Sequence, residues 1–303
     1  MLQIQRLKNN RLKVCGFKFL RNAWKFDFPI VEAITSVLPI CDHVVVAVGK
    51  SEDDTRSMIE KIAPGKISIV DTEWDEQLKE GGRVYASETN KAFDAIPAEY
   101  DWCLYIQGDE ALHEKYLPVV KEAMQKHLEN KEVEGLLFDY RHFYGSYDYV
   151  GDCRHWYRKE IRVIRNNKSI RSYKDAQGFR KNGQKLKVIP VKAEVFHYGW
   201  VRHPRFMKQK VEAVKAFYDG ISEEDALKKA TDQEFNYAEE FDALARFDGT
   251  HPEVMRERIA RLNWDFHPNL SKINMKLKYR LLYWIEKRTG ARLFEYRNYR
   301  ILK

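Results

Sequence analysis

The chain has 303 residues, enough for one large domain or two ordinary ones with a substantial core. Hydrophobic residues make up 44% and charged residues 32%, a globular balance, and no apolar run is long enough to span a bilayer. The formal charge of +8 belongs to the tail: residues 271–303 hold ten Lys and Arg against Glu286 and Glu295, leaving 43 of each sign upstream.

In chain order, Leu12–Leu20 is a short apolar-rich run ending at Arg21-Asn22 and reads as a strand. Pro29–Leu38 carries apolar residues at helical spacing, with proline in the first turn. His43–Val48 (HVVVAV) is a near-continuous β-branched run, the pattern of a strand covered on both faces. It enters a polar loop, Gly49–Thr55, and then a helix, TRSMIEKI. Lys66–Val70 is a third strand, Gly82–Ile96 a helix, Trp102–Ile106 a fourth strand, Tyr116–Leu128 a helix and Gly135–Tyr140 a strand. This alternation predicts an α/β fold with a doubly wound, mostly parallel mixed sheet flanked by helices. Shorter β-like runs follow at 161–166, 185–191 and 193–200, whereas 205–220 and 224–247 read as helix. The expected division is a sheet domain, 1–200, and a helical extension, 201–303.

The N-terminal MLQIQRLKNNRLK has no apolar core and no small-residue cleavage site, so it reads as no signal peptide. Cys15, Cys41, Cys103 and Cys153 form no CxxC pair and read as buried free thiols in a reducing cytoplasm.

Ligands of a parallel sheet gather where loops leave the carboxyl ends of its strands. Four segments meet that description: Arg21-Asn22, Asp53-Asp54-Thr55, Gly81-Gly82-Arg83 and Gln107-Gly108-Asp109-Glu110. Adjacent carboxylates at a strand tip need water or a cation beside them, so Asp109-Glu110 reads as a solvated turn or as a metal site. A diphosphate on this rim would meet a carboxylate-held cation, a helix N-terminus and an arginine. Each residue has a structural reading too. Asp53-Asp54 equally suits capping of the helix at Thr55, His197 suits a core histidine, and Asp175, ahead of Gly178, suits a turn. The aromatics between His142 and Tyr157, Trp156 among them, suit stacking on a sugar acceptor or a packed core.

The ordered set KVCGFKFLRN, VVVAVGKSEDDTRSMIE, GGRVYASETNKAFDAIPAEYDWCLYIQGDE, EIRVIRNNKSIRSYKDAQG and EVFHYGW resembles the family 2-type glycosyltransferases, with their nucleotide-sugar-binding GT-A fold. The resemblance spans roughly residues 12 to 200. It implies an inverting, hexosyltransferase-type enzyme that moves a sugar from a nucleoside-diphosphate sugar to an acceptor hydroxyl, in surface glycan or lipopolysaccharide assembly. A divalent ion, Mn²⁺ or Mg²⁺, is then expected on Asp109 with Glu110 or His197. Donor contacts are expected from Arg21, Asn22, Asp53, Asp54, Gly82, Arg83, Gln107 and Gly108. Asp175 becomes the general base, with Asp148 and Asp152 as rivals.

One position departs from the family pattern. Gln107 stands where the Asp-x-Asp motif has its first aspartate, and it adds no negative charge. It keeps open the alternative of a non-catalytic nucleotide-sugar or glycan binder that retains the fold. A nucleotidyltransferase would carry a Gly-rich loop after the first strand, and Leu20–Trp24 contains no glycine. The tail reads as a basic amphipathic helix with Leu277, Leu281, Trp284 and Ile285 on one side. The expectation is peripheral contact through residues 271–303 with the inner face of a membrane, where a glycan or lipid-linked acceptor would lie. A plain helix packed on the body, its cations solvated, fits the same stretch at least as well, and a nucleic-acid contact is the weaker reading.

Overall fold

The computed structural model describes residues 11–302 apart from 79, 220, 231 and 232. The signal-peptide reading of residues 1–10 lies outside them. Along the chain run β1 (Val14–Leu20), α1 (Ile30–Val37), β2 (His43–Gly49), α2 (Thr55–Ile62), β3 (Ile67–Thr72), α3 (Arg83–Asp94) and β4 (Trp102–Tyr105). Next come β5 (Glu110–Leu112), α4 (Leu117–Lys126), β6 (Gly135–Tyr144), β7 (Tyr149–Gly151) and β8 (Lys159–Arg165). A small antiparallel sheet, β9 (Ile170–Tyr173), β10 (Gly178–Lys181) and β11 (Gln184–Lys185), precedes the long β12 (Lys187–Trp200). Then follow α5 (Pro204–Asp219), α6 (Glu223–Ala230), β13 (Leu244–Arg246), α7 (Arg256–Ala260), α8 (Leu277–Thr289) and β14 (Arg300–Ile301).

The main sheet has the order β13-β7-β6-β8-β4-β1-β2-β3, with β12 beside β6. Strands β4, β1, β2 and β3 are parallel, as is the β12–β6 pair, while β8 runs antiparallel to both its neighbours. The mixed, helix-flanked α/β architecture is the expected one. Successive side chains of a strand point to opposite faces, and the sheet divides its core accordingly. Val44, Val46, Trp102 and Leu104 meet Ile34 of α1, Ile59 of α2 and Met124 of α4. Phe17, Val45, Cys103 and Tyr105 meet Phe93 of α3 and Phe179 of β10. All four cysteines are buried and free.

Residues 201–303 carry two short strands as well as the helices expected there. The helix read over 224–247 stops at Ala230, and Leu244–Arg246 pairs with β7 as β13. Tyr237, Phe241 and Leu244 have i, i+4, i+7 spacing, yet they pack around Tyr144 and Met207 largely from irregular backbone. Strand β14 returns to pair with β12. Among the described residues no helix is long and apolar enough to cross a membrane.

Candidate functional site

The loops leaving β1 and β4 face each other where the strand order reverses, and they bound a cleft of about 250 Å³. Seven expected residues line it: Arg21, Asn22, Gln107, Gly108, Asp109, Asp175 and His197. The sequence reading missed Trp74, Tyr85, Phe28, Lys210 and Glu223, which line it too.

Asp109 is held by its own backbone. Its carbonyl accepts the Tyr198 N–H at 2.7 Å, which pins the 107–110 turn to β12. His197 Nε2 lies 3.7 Å from Asp109 Oδ1. Gly199 keeps the ground between them open, since a Cβ there would come within 2.6 Å of His197 Nε2 and 2.8 Å of Asp109 Oδ2.

His142 decides which nitrogen faces that space. Its Nε2 is 2.9 Å from the Tyr157 carbonyl, a partner that only an N–H satisfies. In the neutral ring Nδ1 is then an acceptor and takes the Nδ1–H of His197 at 3.1 Å, a tautomer assigned from these partners. Burial lowers both imidazoles below the usual 6.5, so both rings are neutral at pH 7. His197 therefore turns an Nε2 lone pair toward a carboxylate. Two acceptors facing across a gap call for a cation.

Lys210 of α5 supplies one. Its Nζ donates to the Gly199 carbonyl at 2.7 Å and lies 3.5 Å from Asp109 Oδ2, while buried Arg202 is 4.0 Å from the same oxygen. Burial would raise the Asp109 carboxyl, but the neighbouring cations, Lys210 and Arg202, pull it the other way, and it lies below the usual carboxylate range. Burial, helped by Arg202, brings Lys210 down to about 8. An imidazole nitrogen and a carboxylate also suit Mn²⁺ or Mg²⁺. Among the described residues no group of three His, Cys, Asp or Glu side chains could hold a metal ion. The donor set fits an ion that arrives with a ligand whose oxygens complete the coordination.

Glu110, expected as a metal ligand, does not face the cleft. It starts β5 and points away from Asp109. Its carboxylate accepts from Arg162 Nε at 2.9 Å and Nη2 at 2.8 Å, from the Gln107 N–H at 3.1 Å and from the Tyr140 hydroxyl. Both Glu110 and Arg162 are fully buried, and the guanidinium lies between the Tyr105 and Tyr140 rings. Asp53 and Asp54 stay outside the cleft as well. Asp53 Oδ1 accepts the Thr55 N–H at 3.0 Å and Oδ2 the Lys25 N–H at 2.7 Å, an Asx turn leading into α2, while Asp54, at the N-cap, is exposed and makes no side-chain cap bond. Gly82 is a left-handed N-cap, and exposed Arg83 opens α3 without lining the cleft; Tyr85, two residues on, lines it instead. Trp156 belongs to a second cleft with Tyr140, His142 and Tyr157, where its ring lies 4.9 Å from that of His142.

The rest of the cleft is aromatic and cationic. Phe19 stacks on Tyr85 at 5.7 Å, Trp74 stands edge-on to Tyr85, and the Arg21 guanidinium lies 5.1 Å over Trp74. Glu223 of α6 reaches across to Asn22 Nδ2 (3.4 Å), Arg21 (3.6 Å) and Lys25 (3.7 Å), so a carboxylate occupies these donors. Asp175 sits at the tip of the β9–β10 hairpin between Lys174 (φ 56°) and Ala176 (φ 62°), two left-handed non-glycine residues. From beneath, Gln107 Nε2 donates to the Ala176 carbonyl (3.5 Å) and Arg162 to the Gln177 carbonyl (3.3 Å). Strained backbone held by buried side chains is common where a loop presents a working group.

No protein-family model matches this sequence, and none of the curated proteins matches it. Solved structures overlap it loosely. Against S. aureus TarS the identity is 16% over 71% of this chain and 41% of that one, with a TM-score of 0.40. A TarS 1-349 structure gives 14%, 73%, 69% and 0.40. Glucosyl-3-phosphoglycerate synthase from Mycobacterium tuberculosis, in complex with Mn²⁺, uridine-diphosphate and phosphoglyceric acid, gives 17%, 48%, 47% and 0.28. The chain thus spans about two fifths of the first TarS chain. Overlaps this loose carry no ligand or reaction over to this protein.

Proposed function

We propose that the cleft binds a nucleoside-diphosphate sugar and transfers the sugar, with inversion, to a hydroxyl of a glycan or lipid-linked acceptor. The observation that carries this reading is the gap kept by Gly199 between the His197 Nε2 lone pair and Asp109, with Arg21 and Lys210 beside it. Such a place is built for an anion accompanied by a divalent cation. The Phe19, Trp74 and Tyr85 wall suits a flat base. Arg21, Asn22 and Lys25 suit phosphate oxygens once Glu223 withdraws.

A divalent ion bound with the donor would offset charge on the departing diphosphate. Asp175 takes the acceptor's proton as its oxygen bonds to the anomeric carbon and the carbon–phosphate-oxygen bond breaks on the opposite face. No covalent enzyme intermediate is needed. The hairpin strain around Asp175 and its two anchors support that role. Gln107, hydrogen-bonded to Ala176, serves the hairpin and not the charge balance.

The test is donor hydrolysis and sugar transfer across a panel of nucleotide sugars with Mn²⁺, for the parent, Asp109→Asn and Asp175→Asn. Asp175→Asn is expected to lower turnover by about 10²–10⁴-fold with donor binding kept. Unchanged turnover in Asp109→Asn would remove the cleft from the chemistry. Tight binding without turnover across the panel would leave the non-catalytic binder.

A further inference from the structure

The C-terminal helix is amphipathic in the wrong direction for a packed surface helix. Such a helix turns its apolar stripe to the core, yet α8 has no buried residue. Its bonds to the body are polar, with half-buried Leu282 and Ile285 beside them: the Tyr283 hydroxyl donates to Asp152 (2.8 Å), Lys287 pairs with Asp152 (2.7 Å), and Glu286 pairs with Arg154 (2.9 Å). At 100° per residue, Leu277, Leu281 and Trp284 form one stripe on the far side, with Leu277 82% and Leu281 60% exposed. Lys278 and Arg280 fall on its two flanks, and the Arg288 guanidinium lies 4.7 Å over Trp284.

The turn after Gly290 repeats the pattern. Arg292 and Glu295 face inward, Arg292 donating to the Arg154 and Trp156 carbonyls and lying 3.4 Å from Glu295. Phe294, held at φ 59°, is 90% exposed, and Leu293 and Tyr296 are exposed beside it. Because Glu286 pairs with both Arg154 and Arg292, helix and turn share one anchor and their outer faces adjoin. Both acids of residues 271–303 are spent on that anchor, so the outward surface is apolar and basic.

The geometry points to this face as a docking surface for an anionic lipid bilayer, the Leu, Trp and Phe side chains entering the headgroup boundary and the flanking cations meeting lipid phosphates. A second copy of the chain would bring the same positive charge to the contact. A folded acidic partner would have only one helix face and a turn to grip. Interfacial helices take this form, an apolar face bordered by Lys and Arg. The inference makes no use of the cleft's chemistry, so it stands or falls apart from it.

The test is co-sedimentation of the full chain with phosphatidylcholine vesicles and with vesicles containing 30% phosphatidylglycerol (about a third of the lipid anionic). The parent is expected on the anionic vesicles only. Leu281→Glu/Trp284→Glu and, separately, Lys278→Glu/Arg280→Glu are expected to lower the partition coefficient by about tenfold or more, with melting temperatures unchanged. Phe294→Ser lowers it by less. The inference is overturned if the parent ignores anionic vesicles, if it binds both vesicle types equally, or if either double variant binds like the parent. A parent that dimerises in sedimentation velocity through the same residues, without binding vesicles, overturns it as well.

Discussion

Glu110→Gln separates the structural carboxylate from the one in the cleft. The substitution keeps the shape and one acceptor but removes the charged partner of two Arg162 hydrogen bonds, leaving near that buried guanidinium only Glu160, whose burial favours the neutral form. Breaking a buried ion pair by removing one partner costs about 3–5 kcal/mol, a large part of the roughly 5–15 kcal/mol that holds a domain together. At about 2–4 °C per kcal/mol for a domain of this size, melting should fall by roughly 10 °C. Thermal unfolding followed by circular dichroism measures this, and calorimetry with Mn²⁺ and nucleoside diphosphates, kept well below the transition, reports the cleft. The cleft is expected to bind as in the parent. The apolar pair Glu110→Leu/Arg162→Met should recover much of the loss, because matched apolar replacements of buried pairs are close to neutral. Melting within about 1 °C of the parent, or Mn²⁺-dependent binding lost from a stable fold, would refute the assignment of Glu110 to Arg162.

His142→Gln should weaken Mn²⁺ binding in the presence of a nucleoside diphosphate by about 10–100-fold at little cost in melting temperature, since it frees His197 to adopt the other tautomer; unaltered affinity in titration calorimetry would undo that assignment. Glu223→Gln should tighten nucleoside diphosphate binding about fivefold, the worth of one partly exposed ion pair, and weaker binding would instead make Glu223 a ligand contact. Burial raises the Glu160 carboxyl from 4.5 to about 7, and its Oε2 has no hydrogen-bond partner. The folded protein thus keeps a proton that the unfolded chain releases between pH 4.5 and 7, so stability falls as pH rises through that window, by about 3 kcal/mol. Glu160→Gln should flatten the urea-unfolding stability over that range, and a slope equal to the parent's would refute it.

Much of the fold could be read because β-branched runs and 3.6-residue spacing come from the same packing that builds the sheet. The site was harder to read, for reasons that differ by residue. Asp109 and Glu110 look like a pair in sequence, yet a turn ends between them: Asp109 stays in the 107–110 turn and lines the cleft, while Glu110 begins β5 and is buried against Arg162. Lys210 left a legible mark: it shares a helical stripe with Met207 and Ala213, both buried, so it had to face inward. Glu223 and the His142–His197 contact join residues 201 and 55 positions away in the chain, and no local pattern encodes those distances. Tyr237 to Leu244 misled because i, i+4, i+7 spacing also arises where an irregular segment drapes over an aromatic cluster.

The cleft takes one wall from β1 and β4 and the facing wall from α5 and α6, through Lys210, Ala213, Val214 and Glu223. Grafting another protein's last hundred residues onto this sheet would therefore replace the lining that Lys210, Ala213, Val214 and Glu223 give the cleft. Change in the sheet half and in the helical half of the cleft is tied together, and a chimera cut after Trp200 would inherit an open groove in place of a pocket.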